Sequence, residues 1–155
     1  MKPHYQIDNL LRRLSDVPSR ISHSVARLSE AEKHTNLSNC EWSAAEILAH
    51  LRASDDIVAY RLYVILVRDN PALPAYDERR WAEIAGYAQA DFESSLKTYT
   101  LRRTELVKML RQVALDDWKR FGTHEVKGII SLLDVATSLV EHEEEHCLQL
   151  EATYK

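Results

Sequence analysis

The sequence predicts an all-α protein built as a four-helix bundle. Glycine numbers only 3 and proline only 4 in 155 residues, too few breakers for a fold of many turns. Apolar residues recur at helical spacing in four long stretches, and no stretch of useful length alternates with the period of a strand. Two of the four stretches open on capping-box patterns, Ser43-x-x-Glu46 and Ser131-x-x-Asp134, in which hydroxyl and carboxylate satisfy each other's backbone N–H.

The first helical stretch covers Tyr5 to Ser29, with Leu10, Leu11, Leu14, Ile21, Val25 and Leu28 on one face. Pro18 lies inside it and predicts a kink or a break just before it. The segment "HTNLSNCE" has turn chemistry and no periodicity. A second helix starts at Ser43 and runs to about Asp69, where Asn70-Pro71 ends it; at about 1.5 Å per residue it is about 40 Å long. "NPALPAYDERRWAEIAGYAQ" predicts irregular chain with one short helix near Asp77 to Ile84. A third long helix, about Ala88 to Val113, carries Phe92, Leu96, Tyr99, Leu106 and Leu110. "LDDWKRFGTHEVKG" reads as a loop, and the last helix runs from Ser131 almost to the end. The connection of roughly 19 residues between the second and third helices can span a full helix at about 3.3 Å per residue. Those two helices can therefore run parallel; length permits this and does not require it.

Length and composition narrow the function classes. One domain, residues 1–155, is the expectation for this length. The net charge of −4 shows no basic excess to draw nucleic acid or an anionic membrane. No apolar run approaches the roughly 20 residues that span a bilayer, and "MKPHYQIDNLLRR" lacks the apolar region of a signal peptide. Cys40 and Cys147 are too few for a disulfide scaffold, which points to a reducing cytoplasm.

The last helix contains His142-Glu143-Glu144-Glu145-His146, an H-E-x-x-H pattern. Against the stripe of Leu132, Ala136, Leu139 and Leu150, His146 lies about 40° and His142 about 80° to the same side. At spacing i, i+4 the two rings stack one turn apart and can share an ion. Glu143 falls near the centre of the apolar stripe, where a carboxylate is costly without a partner. A long helix with a charged face and two incidental histidines is the bland alternative, and it supplies no such partner. A zinc-protease helix does not fit, because only nine residues follow His146 and none is His or Asp. The third ligand must come from upstream, and His50, on the core edge of the second helix, is the candidate. Three neutral imidazoles suit zinc, nickel, iron or copper better than magnesium or calcium, and three protein donors are the number that catalytic zinc uses. Glu143 is then a partner of a ligand histidine or an acid/base, and Gln149 a hydrogen-bonding group. Arg61, Trp81, Tyr87 and Arg103 are weaker pocket candidates, and Cys147 reads as core.

Trp42-Ser43-x-x-Glu46-x-x-x-His50-Leu51, followed far downstream by His142-Glu143-x-x-His146-x-x-Gln149, resembles the DinB/YfiT-like superfamily. The resemblance extends from about Leu10 to Leu150. It implies an up-down-down-up four-helix bundle, with His50, His142 and His146 as metal ligands. It also implies a homodimer and a small-molecule substrate, and it brings in low-molecular-weight thiols, which some relatives use for transfer or isomerisation. Two functions follow from residues and resemblance together. One is a metal-dependent enzyme activating water or a thiol, with Glu143 catalytic and Gln149 and Arg61 contacting the cofactor. The other is a non-catalytic metal-binding or stress-response protein.

Overall fold

Both predicted capping boxes form, and each launches a long helix. The Ser43 hydroxyl accepts from the Glu46 N–H at 3.3 Å, while the Glu46 carboxylate accepts from the Ser43 N–H at 2.8 Å. At Ser131 the corresponding distances are 3.1 and 2.9 Å. The computed structural model describes residues 3–36 and 42–154; Cys40 and the rest of the segment 37–41 lie outside the described residues. The helices are α1 (Pro3–Ser24), α2 (Glu30–Lys33), α3 (Ala44–Val67), α4 (Glu78–Ala85), α5 (Phe92–Leu110) and α6 (Leu132–Thr153). Three short strands, β1 (Ala72–Leu73), β2 (Phe121–His124) and β3 (Gly128–Ser131), complete the fold. No helix among the described residues is long and apolar enough to cross a membrane.

Three local features differ from the sequence expectation. α1 passes through Pro18 without ending, so of the two expectations, kink or break, the break does not occur. Val17 and Ile21, one on each side of the proline, are fully buried. Their packing holds the segment helical against the roughly 3 kcal/mol that an internal proline costs. α2 was not anticipated; at four residues it is too short for periodicity, although Ser29 and Glu32 form a capping box of their own. The segment read as a loop after α5 contains a 3-10 turn, Leu115–Lys119, and the β2–β3 hairpin. β1 adds to this hairpin in parallel, with Ala72 opposite Thr123 and Leu73 opposite His124. Strands of two and four residues carry too little alternation to be read. The contact of β1 with β2 requires a glycine: a Cβ on Gly122 would stand 2.8 Å from the Pro71 carbonyl oxygen.

Ion pairs and hydrogen bonds set the helix directions. Arg13 pairs with Glu144 and Arg20 with Glu151, so α1 and α6 advance together. Arg52 reaches Ser95, Asp55 reaches Arg103 and Asp56 reaches Arg102, so α3 and α5 also run parallel. His50, early in α3, meets His142 and His146, late in α6, which makes those two helices antiparallel. The bundle is up-down-down-up, with α1 and α3 each packed between α5 and α6.

The apolar interior falls into two main clusters. One gathers Leu14, Leu62, Ile65, Leu106, Leu110 and Leu139, and the other Ile21, Ile47, Leu51, Phe92, Tyr99 and Leu150. Between them in every helix concerned sit Asp55, Arg103 and Glu143, none more than 1% exposed. The Arg103 Nη2 donates to Asp55 Oδ1 at 2.6 Å and to Glu143 Oε1. This is the partner that the misplaced Glu143 demanded. Burial pushes the Glu143 carboxyl up to about 7, with Arg103 pulling the other way. Burial raises Asp55 in the same sense. Burial opposes the Arg103 charge, and Glu143, Tyr99 and Asp55 more than restore it.

Removing only the cation leaves two carboxyls buried against apolar surroundings. Arg103→Met should therefore lower the unfolding free energy by about 3–5 kcal/mol in a urea titration. The triple change Asp55→Leu, Arg103→Met, Glu143→Leu should recover most of that loss, because no buried charge then lacks a partner.

Candidate metal centre

The Ser43 cap starts α3 so that His50 arrives about two turns later. There it is 2% exposed, with its ring 4.9 Å from Trp42 and 6.5 Å from Tyr87, centroid to centroid. On α6 the i, i+4 spacing sets the rings of His142 and His146 4.8 Å apart. His50 stands 5.0 Å from the first ring and 5.1 Å from the second. The Nε2 atoms of His50 and His142 are 2.9 Å apart. One ring nitrogen from each of the three lies within 4.8 Å of the others.

The donor set fits a transition ion. Burial, followed by the charges of the other two rings, pulls His50 down to about 3. Burial and His146 bring His142 to about 4, and burial lowers His146 as well. All three are therefore neutral near pH 7, with lone pairs available, as metal ligation requires. Gln149 Oε1 lies 3.1 Å from His146 Nδ1. An Nδ1–H donating there leaves Nε2 as the coordinating atom, the role of an outer partner in a metal site.

His142 also lines a cavity of about 390 Å³. The cavity runs between α3 and α6 under the strands, and Ser54, Arg61, Tyr76, Glu78, His124 and Ser138 lie on its wall. The predicted residue Arg61 is thus at the cavity, donating to the Pro74 carbonyl and lying 5.7 Å from the Tyr76 ring centroid. Glu143 is not on that wall; its carboxylate faces Arg103 and Asp55. Arg103 belongs to the same buried group, and Tyr87 packs against His50. Trp81 sits outside that wall, 39% exposed, against Tyr76. Cys147 is fully buried, and burial pushes its thiol up to about 12, in keeping with a core residue. His124 and Glu78 are the wall residues with chemistry that sequence reasoning missed. No periodicity marks them, because one lies on a four-residue strand and the other opens a short helix.

Residues 13–150 match the family model of the DinB superfamily. The chain belongs to that superfamily. Among relatives of this DinB protein, one from Oceanobacillus iheyensis, provisionally named a metal-dependent hydrolase, is 25% identical over 126 residues, 81% of this chain and 73% of that one. YfiT of Bacillus subtilis, also provisionally named a metal-dependent hydrolase, is 25% identical over 142 residues, 91% of this chain and 80% of YfiT. The crystal structure of YfiT, with what its report calls an unusual four-helix bundle topology, superposes with a TM-score of 0.87 at 24% identity, covering 95% of this chain and 85% of that one. A mycothiol-dependent maleylpyruvate isomerase shares the fold at a TM-score of 0.75 and 13% identity, over 93% of this chain and 60% of the isomerase.

Metal affinity should follow this geometry. Gln149→Leu is expected to weaken zinc or nickel binding by about 10–100-fold, as loss of an outer hydrogen bond does. His50→Ala, which removes a donor, should weaken it further. Equilibrium dialysis with elemental analysis measures both.

Proposed function

We propose that this DinB protein is a metal-dependent enzyme acting on a small molecule, with hydrolysis as its first reaction class. The observation that carries this is the double position of His142, which belongs to the three-imidazole cluster and to the wall of the cavity. His50, His142 and His146 hold the ion. A divalent transition ion bound by them supplies Lewis acidity, which brings the pKa of a water or thiol toward neutrality.

The remaining work falls to side chains. Gln149 keeps His146 in one tautomer. Glu143 acts as a positioning residue, fixing the middle of α6 through Arg103 and Asp55 rather than carrying a proton. Glu78 is the carboxylate suited to proton transfer: it is on the cavity wall, and its charge acts on both His146 and Tyr87. The only other wall carboxylate among the described residues, Asp134, is engaged by the Ser131 N–H and hydroxyl. Apolar side chains such as Val58 and Leu139 keep the inner cavity from being wholly aqueous. A second reading, thiol-dependent transfer, is favoured by the cavity's size. At about 390 Å³ it lies within the range that holds drug-sized ligands, and the isomerase of the same fold is named for its thiol.

The test is reconstitution with zinc, nickel, iron(II) or manganese, followed by ester, amide and lactone substrates with and without low-molecular-weight thiols. Turnover should appear with one of these ions and vanish with chelator or in His50→Ala. Glu78→Gln should lower kcat while leaving metal content unchanged. A large loss of melting temperature with chelator, and no turnover with any ion, would instead assign the site to a structural clip.

A further inference from the structure

The cavity has two chemically different ends. Near the imidazole cluster the carboxylates Glu145 and Glu78 both act on His146, and of these Glu78 is on the cavity wall. At the other end Arg61 and Lys127 both act on His124, and all three line the wall.

His124 is held in one tautomer by the turn that follows it. Its Nδ1 accepts from the N–H groups of Val126 at 3.1 Å and Lys127 at 3.2 Å. A ring nitrogen that accepts two backbone N–H groups carries no proton, so the proton is on Nε2. The residue is 7% exposed and lines the cavity, which leaves Nε2–H as the group it offers there. A ring in this state is a hydrogen-bond donor and not a further metal ligand.

Arg61, on the same wall, lacks a charged partner among the described residues. Burial works against its charge. Its Nη2 donates to the neutral Pro74 carbonyl, its Nε is buried without a partner, and no ion pair engages it among the described residues. Of the acidic groups nearby, Glu78 shares the wall but acts on His146 at the other end, Glu125 acts on Arg61 but receives the Ala75 N–H at 2.8 Å, and Asp134 is engaged in its capping box. A half-buried cation beside an oriented N–H donor and a lysine is costly unless an anion completes it.

We propose that this end of the cavity is an anion-binding subsite, in which Arg61, the His124 Nε2–H and Lys127 take a carboxylate or phosphate of the substrate. The substrate's apolar part lies along Val58, Ile130 and Leu139, and its reacting end points toward His142. This deepens the proposed enzymatic function and rests on it for the direction in which the substrate lies. The anion site itself does not depend on the ion.

Benzoate and phenyl phosphate are the probes, with benzamide as the neutral control, titrated into the full chain with and without zinc. Histidine-labelled NMR follows the His124 Nε2–H, and calorimetry gives Kd. The expected result is saturable binding of at least one anion in both metal states, a shift of the His124 resonance, and no binding of benzamide. Arg61→Gln should weaken it by about tenfold or more, as loss of a charge-assisted bond does, and Lys127→Met by less. The tighter probe tells whether carboxylate or phosphate is the group recognised. The proposal is overturned if neither anion binds without zinc, or if Arg61→Gln binds as well as the parent. Zinc stoichiometry measured on the same samples separates the two ideas: intact metal binding with no anion binding removes the subsite and leaves the metal centre standing.

Discussion

A single guanidinium on a third helix ties together the two helices that carry the imidazoles. Arg103 of α5 reaches Asp55 of α3 and Glu143 of α6 at a level where the rest of the interior is apolar. Paired charges at that depth add little net stability over well-packed apolar side chains, but a misaligned pair is strongly penalised. The contact therefore acts chiefly on register. With α3 fixed against α6 at Asp55 and Glu143, His50, one turn or so earlier on α3, faces His142 and His146 on either side of Glu143. A slip of one turn on either helix would part both the ion pair and the imidazoles.

Burial has opposite effects on the two neighbouring polar groups. It holds the three histidines neutral, which readies them for a cation. It raises the carboxyl of Glu143, which Arg103 and the Tyr99 side chain counter. Side chains one residue apart on α6 thus point to different neighbours and serve different ends. His142 turns toward the cavity, whereas Glu143 turns toward the core.

Much of this was legible in the sequence. Ser43 and Ser131 announced their helices through short-range hydrogen bonding, which needs no tertiary context. The H-x-x-x-H spacing and the position of His50 on a core edge expressed helical geometry alone, and the three rings converge. Glu143 on the apolar stripe signalled a buried partner, although the stripe does not say which cation answers it or that the carboxylate faces away from the cavity. Pro18 shows that the local rule cannot choose between kink and break, since the packing of Val17 and Ile21 keeps the helix continuous. The strands, and with them His124, were hidden because β1 and β2 pair across about fifty residues with almost no pattern of their own. Short elements of that kind are specified by contacts such as Gly122 against Pro71, which become visible only in three dimensions.

The small sheet joins the connection after α3 to the connection before α6. Thr123 N–H donates to the Pro71 carbonyl at 2.9 Å, and Glu125 N–H to the Leu73 carbonyl at 3.2 Å. Tyr76, His124 and the carbonyl that holds Arg61 all belong to these connections, while His50, His142 and His146 belong to the helices. The proposed metal ligands and much of the cavity wall are consequently housed in separable parts of the polypeptide. Insertions or exchanges in the stitched rim can redraw the shape of the cavity while the bundle beneath keeps its three-imidazole cluster, a separation by which one scaffold can be diversified without disturbing its helices.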